Sequence, residues 1–91
     1  MTKVEMEQAA AIRRYTANIA NIRPHWVLTV YNAKEWTIDG PYWSFEIGRT
    51  ALAYVRVVLG RHAELWAIES NGCIRKWFPE GIAITEETGN D

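Results

Sequence analysis

One cysteine and two histidines are the residues that could carry nucleophilic chemistry. Cys73 with His25 or His62 would make a thiol–imidazole pair, in which the histidine takes the proton of the thiol. Cys73 directly follows the turn-forming residues Asn71 and Gly72 and does not open a helix, so nothing in the sequence favours its thiolate. We therefore predict that Cys73 is a small structural residue beside a turn.

Metal binding, acid–base catalysis and phosphate binding also need particular residue spacings. The sequence has no His-x-x-x-His, His-Glu-x-x-His or Cys-x-x-Cys motif for a metal, and no glycine-rich phosphate loop. The carboxylates that could form a catalytic pair fall at predicted strand and turn positions, where a solvated charge is the ordinary role. These carboxylates are Glu35, Asp39, Glu46, Glu64 and Glu69. We therefore predict that the protein is not an enzyme and has neither a cofactor nor a metal site.

Large aromatic residues beside basic residues fit binding chemistry better, as in the segment CIRKWF at 73–78. The chain has five tryptophans in 91 residues, and each buried indole N–H needs an acceptor, so a thin core cannot easily bury them all. Exposed Trp, Tyr and Arg dominate the binding energy of many interfaces. The alternative is that these aromatics only stabilise the sheet by cross-strand pairing, with Arg and Lys stems covering the rings.

The register of the hairpin around Asn71 and Gly72 decides which aromatics are exposed. Asn-Gly between two apolar runs is the strongest short-range signal of a β-hairpin. A two-residue turn would place Trp66 opposite Trp77, whereas a three-residue loop ending in a bulge at Gly72 would place Trp66 opposite Lys76. We prefer the second register because it collects one apolar core face. That face consists of Trp66, Ile68, Ile74 and Phe78.

The other face of this hairpin is predicted to be exposed and to contact a partner. Trp77 is its centre, with Arg75 and Leu65 beside it in a small apolar patch with a basic rim. Such a patch fits a protein partner better than a phosphate backbone. The complete predicted binding surface is Trp77, Arg75, Leu65, Tyr42 and Lys76.

Two segments have the 3.6-residue period of helices and must support this sheet. The first begins at a capping box formed by Thr2 and Glu5 and ends near Ile22, before Pro24. The second is RTALAYVRVVLGRH at 49–62, although its valines leave a strand as an alternative for part of it. Its predicted buried stripe is Ala51, Leu52, Val55, Val58 and Leu59, and Gly60 fits the left-handed position after its end.

The remaining apolar segments are predicted to be strands. They cover 25–31, 36–39, 42–47, the hairpin arms 64–70 and 73–78, and a short edge strand at 81–84. The element order is α-β-β-β-α-β-β. This order predicts an α+β domain in which both helices pack on one face of an antiparallel sheet.

Composition and charge indicate one small domain and a cytoplasmic location. Residues 1–85 form the predicted domain, and residues 86–91 form a flexible acidic tail. The net charge of −1 is far from the strongly basic balance of nucleic-acid-binding domains and from the acidic balance of DNA mimics. The first residues lack the pattern of a signal peptide, no apolar run could cross a membrane, and the single cysteine allows no intramolecular disulfide.

These observations predict a non-enzymatic protein-binding module. A motif-free α+β chain of this size is similar, in size and style only, to inhibitor and accessory proteins of bacteriophages and mobile elements, anti-CRISPR proteins among them. One alternative is a small nucleic-acid-binding domain that uses Arg and Lys with exposed aromatics. Another is a homodimer whose exposed aromatics bury one another.

Overall fold

The computed structural model describes residues 1–79 and 81–86, which form two helices, a π-helical turn and one antiparallel sheet. In chain order the elements are α1 (Lys3–Thr16), β1 (His25–Asn32), β2 (Glu35–Tyr42), α2 (Phe45–Ala53), the π-helical turn (Tyr54–Val58), β3 (Ala63–Ile68), β4 (Ile74–Phe78) and β5 (Gly81–Glu86). The strand order in the sheet is β2-β1-β3-β4-β5, and the predicted α+β class is confirmed. The predicted edge strand is present as β5, while residues 87–91 of the predicted tail lie outside the described residues.

The helix α1 begins at its predicted capping box and ends earlier than predicted. The Thr2 hydroxyl accepts from the Glu5 N–H at 3.1 Å, and the Glu5 carboxylate accepts from the Thr2 N–H at 2.9 Å. The helix ends at Thr16, well before Ile22. The side chains of Thr16 and Asn18 donate to backbone carbonyls of the last turn, and such local bonds compete with further helix.

The predicted third strand at 42–47 is wrong, because this segment starts a helix. The strand β2 continues through Gly40 and Pro41, which lie between the predicted strands 36–39 and 42–47, and it ends at Tyr42. The Ser44 hydroxyl then accepts from the Ile47 N–H at 3.2 Å and caps α2. The alternation of aromatic and polar residues in this segment fits a strand or a helix. The hydrogen bond from the Ile47 N–H to Ser44 at the helix N-terminus favours the helix.

The two helices lie on opposite faces of the sheet, whereas the sequence predicted both on one face. Successive side chains of a strand point to opposite faces. On β1, Val27 belongs to the cluster under α1 and Leu28 to the cluster under α2. On β3, Trp66 belongs to the cluster under α1 and Leu65 to the cluster under α2. Both faces of these central strands are apolar, so each face needs a helix to exclude water from it.

The β3–β4 hairpin has the preferred register. Trp66 pairs with Lys76 and Ile68 pairs with Ile74. Gly72 has a φ of 88°, and its N–H closes the turn by donating to the Glu69 carbonyl at 2.9 Å. Three of the four core residues assigned from this register, Trp66, Ile68 and Ile74, are buried, whereas Phe78 is only half-buried.

Gly72→Val is expected to lower the free energy of unfolding by more than about 1 kcal/mol, because a β-branched residue is strained at a positive φ. A Cβ at Gly72 would meet nothing within 4 Å, so the expected loss comes from the backbone and not from a clash. Gly72→Asn is the matched control, since asparagine tolerates this conformation. Urea unfolding of both variants measures the difference, and equal stabilities would show that the strain argument is wrong.

Candidate binding surface

Leu65 and Lys76 do not lie on a free surface. Leu65 is fully buried in the cluster beneath α2. The Lys76 ammonium is buried on the opposite face, where it donates to the Glu5 carboxylate at 3.2 Å. The expectation that these two side chains are exposed is therefore wrong, and the reason is that helices cover both faces of the sheet.

Trp77 and Arg75 are half-buried, and each has a visible role inside the fold. The Trp77 ring meets the ring of Phe45, the first residue of α2, edge-on at a centroid distance of 5.4 Å. The Arg75 guanidinium forms an ion pair with Glu69 at 3.0 Å. That these two side chains also contact a partner stays a prediction.

Tyr42 lies where β2 meets the start of α2. Its hydroxyl donates to the Asp39 carboxylate at 2.6 Å. Burial raises the pKa of Tyr42 to about 12, and the hydrogen bond and negative charge of Asp39 act in the same direction. The phenol therefore stays protonated at neutral pH and keeps its hydrogen bond to Asp39.

The two most exposed large apolar side chains, Val57 and Val58, lie in the segment that follows α2. Val57 is 80% exposed and Val58 is 63% exposed, and three neighbours are about half exposed. None of these residues was predicted as a contact residue, and Val58 and Leu59 were predicted to be buried. We call this surface the apolar face, and it consists of Ile47, Tyr54, Val57, Val58 and Leu59.

The π-helical turn explains why Val58 and Leu59 are exposed. The Leu59 N–H donates to the Tyr54 carbonyl at 3.2 Å, which is one residue further back than in an α-helix. The wider turn rotates the residues that follow it about the helix axis. The predicted stripe is therefore buried only as far as Val55. The valine-rich run VRVVL, with its low helix propensity, was the only sequence signal of this irregularity.

Arg56 anchors the π-helical turn to β3. Its Nε donates to the Ala63 carbonyl at 2.9 Å, and its terminal nitrogen pairs with the Glu64 carboxylate at 3.0 Å. The N–H of Arg61 donates to the Val55 carbonyl at 3.1 Å and closes the end of the segment. These bonds attach the apolar face to the sheet, so its exposed valines belong to a folded element and not to a frayed end.

A groove of about 710 Å³ runs between the apolar face and the edge strand β2. Ile47, Tyr54 and Leu59 line its helix side, and Asp39 and Tyr42 line its strand side. An apolar wall facing a few fixed polar groups is the usual chemistry of a binding groove. Helical segments with π-type bonding also occur frequently at functional sites.

Comparisons with protein-family models, with curated proteins and with solved structures found no match to this chain. Within residues 1–79 and 81–86, no group of three His, Cys, Asp or Glu side chains is arranged to hold a metal ion. The helices in the described part of the chain are too short or too polar to cross a membrane. The interpretation of the site therefore depends on its own geometry.

Proposed function

We propose that this protein is a non-enzymatic binding module that presents its apolar face to another polypeptide. The observation that carries the proposal is the 80% exposure of Val57 in a segment tied to the sheet by Arg56. Contiguous exposed apolar surface on a soluble domain marks an interaction site. Burying a side chain such as valine or leucine contributes roughly 1.5–3 kcal/mol, so covering several of them supports a stable complex.

Nucleic-acid binding has less support from the charges. Three of the bases that could contact phosphates, Arg56, Arg75 and Lys76, are paired with glutamates of the same chain. Phosphate contacts depend on lysine and arginine side chains whose charge is available to the nucleic acid. The apolar face itself consists of aliphatic and tyrosine side chains, which suit a polypeptide better.

Two finer parts of the proposal rest on the sequence. A cytoplasmic location fits a chain whose single cysteine allows no internal disulfide. A role as an inhibitor or accessory protein of a bacteriophage or mobile element fits the size and the motif-free pattern, and gene neighbourhood would test it. Binding through the predicted hairpin surface around Trp77 is the rival location for the same function.

Photo-crosslinking at single positions tests the proposal and its location. A benzophenone side chain is placed at Val57 in the apolar face, at Trp77 in the hairpin surface, or at Arg14, which is exposed on α1. After irradiation of cells that express each variant, we expect a covalent polypeptide adduct at position 57 and none at position 14.

The alternative results have distinct meanings. An adduct at position 77 without one at position 57 would move the interface to the hairpin. An adduct that nuclease removes would favour nucleic-acid binding. The absence of polypeptide adducts at both positions would overturn the proposed function.

A further inference from the structure

We infer that the occupant of the apolar face is a second copy of this chain, which pairs antiparallel about a two-fold axis. This inference rests on the proposed function and names its partner. Closed two-fold dimers are the commonest assemblies of soluble proteins, and each contributes the same surface patch to the interface. Such a patch must be complementary to itself in shape and in charge.

Charges at the ends of the apolar face have the arrangement that self-pairing needs. Glu46 precedes Ile47 at the start of the face and lines the groove. Arg61 follows the face and lines a small cavity of about 240 Å³ together with Leu59. The helical part of the face, from Glu46 to Leu59, is roughly 20 Å long at the 1.5 Å rise of each residue, and Arg61 lies just beyond the end of the helix. A carboxylate therefore lies at one end of the face and a guanidinium at the other.

Several charged side chains near this surface form no ion pair with another described residue, namely Asp39, Glu46, Arg49 and Arg61. Glu46 and Arg61 are the two at the ends of the face, whereas Arg56 on the same segment is paired with Glu64. An antiparallel second copy would bring each Glu46 to the Arg61 of the other copy, once on either side of the axis. The valines and Tyr54 would meet between these two ion pairs. A different partner would not require the face to be complementary to itself.

Solution mass tests the inference on the purified protein. Light scattering and sedimentation from about 1 µM to about 1 mM should show the mass rising from 10.5 kDa toward twice that value. Val57→Glu should raise the dissociation constant at least about 30-fold, because each dimer would bury two unpaired carboxylates. Val4→Glu is the matched control, since it adds the same charge at an exposed apolar position of α1 and should leave the mass unchanged.

Charge exchange separates a second copy from any other occupant. Glu46→Arg and Arg61→Glu should each weaken the dimer about fivefold or more, because each creates two like-charge contacts across the axis. The double variant restores both pairs with reversed sign and should return the dissociation constant to near the wild-type value. Circular dichroism of each variant should match that of the wild type, since both positions are exposed.

Three results would overturn the inference. The first is a wild-type protein that is still monomeric at about 1 mM, and the second is a dimer whose dissociation constant does not change on Val57→Glu. The third is a double variant that dimerises no more tightly than the single variants. A monomer whose position 57 still crosslinks to another polypeptide in cells would remove the second copy and leave the proposed binding function intact. A protein that forms neither a dimer nor an adduct would contradict both the second copy and the proposed binding function.

Discussion

Lys76→Met is expected to lower the free energy of unfolding by about 3–5 kcal/mol at neutral pH, the usual effect of removing one partner from a buried ion pair. The side chains of Lys76 and Glu5 are each only 9% exposed, and their charged atoms lie 3.2 Å apart. Methionine keeps the length of the apolar stem, so the loss comes from the Glu5 carboxylate that is left buried without its cation. Urea unfolding measures the change.

The double variant Glu5→Gln with Lys76→Met is the control for this interpretation. Glutamine keeps the capping role toward Thr2 and carries no charge, so the double variant should be more stable than Lys76→Met alone. A double variant as unstable as the single one would show that lost packing of Lys76, and not the stranded charge, causes the effect.

Lowering the pH should remove the stability that the ionised Glu5 carboxylate contributes to the wild-type protein. The backbone N–H of Thr2 lowers the pKa of Glu5 below its ordinary value of 4.5, and Lys76 lowers it further, while burial opposes them. A carboxylate with a lowered pKa stabilises the fold above its ordinary pKa, and that stability is lost as the pH falls through the lowered value. Melting temperatures from pH 6 to about pH 3 should therefore fall more steeply for the wild type than for Glu5→Gln.

Trp66→Ala is the other substitution with a large expected effect, a loss of about 3–5 kcal/mol. Trp66 is 0% exposed, and its indole N–H donates to the Gln8 side chain at 3.1 Å across the α1 face of the sheet. The substitution removes the largest buried ring and also leaves the Gln8 oxygen without its donor. A domain of this size has a total stability of only about 5–15 kcal/mol, so much of the variant should be unfolded at 37 °C.

Two milder variants keep this prediction testable if Trp66→Ala does not fold. Trp66→Phe retains most of the apolar volume and should cost about 1–3 kcal/mol through the unsatisfied Gln8 oxygen. Trp43→Ala alters a tryptophan that is 55% exposed and should cost less than either. Chemical unfolding ranks the three variants, and a Trp43→Ala loss as large as that of Trp66→Ala would contradict the assignment of the core.

Local chemistry explains what the sequence could predict. The capping box of Thr2 and Glu5 and the hairpin at Gly72 depend on residues within a few positions of each other, and both are confirmed. The register also followed from the sequence, because only one register collects Trp66 and its apolar neighbours on one face. Such short-range patterns leave few alternatives.

The features that the sequence could not predict depend on how distant elements pack and on where the helical period breaks. The period-2 alternation at 42–47 fits a strand as well as a helix, and the Ser44 cap decides between them. Leu65 was predicted to be exposed because nothing in its neighbours shows that α2 covers that face. The apolar face was missed because the π-helical turn breaks the 3.6-residue period after Val55, and that period was the basis of the predicted stripe.

The contacts of α1 also bear on the order in which the chain folds during its synthesis. Gln8 and Glu5 are made well before their partners Trp66 and Lys76, which follow them in the chain by 58 and 71 residues. An isolated helix of 14 residues is only marginally stable in water, so α1 gains its support late. We expect this domain to fold as a unit once β4 has left the ribosome, with a rate set by these distant contacts.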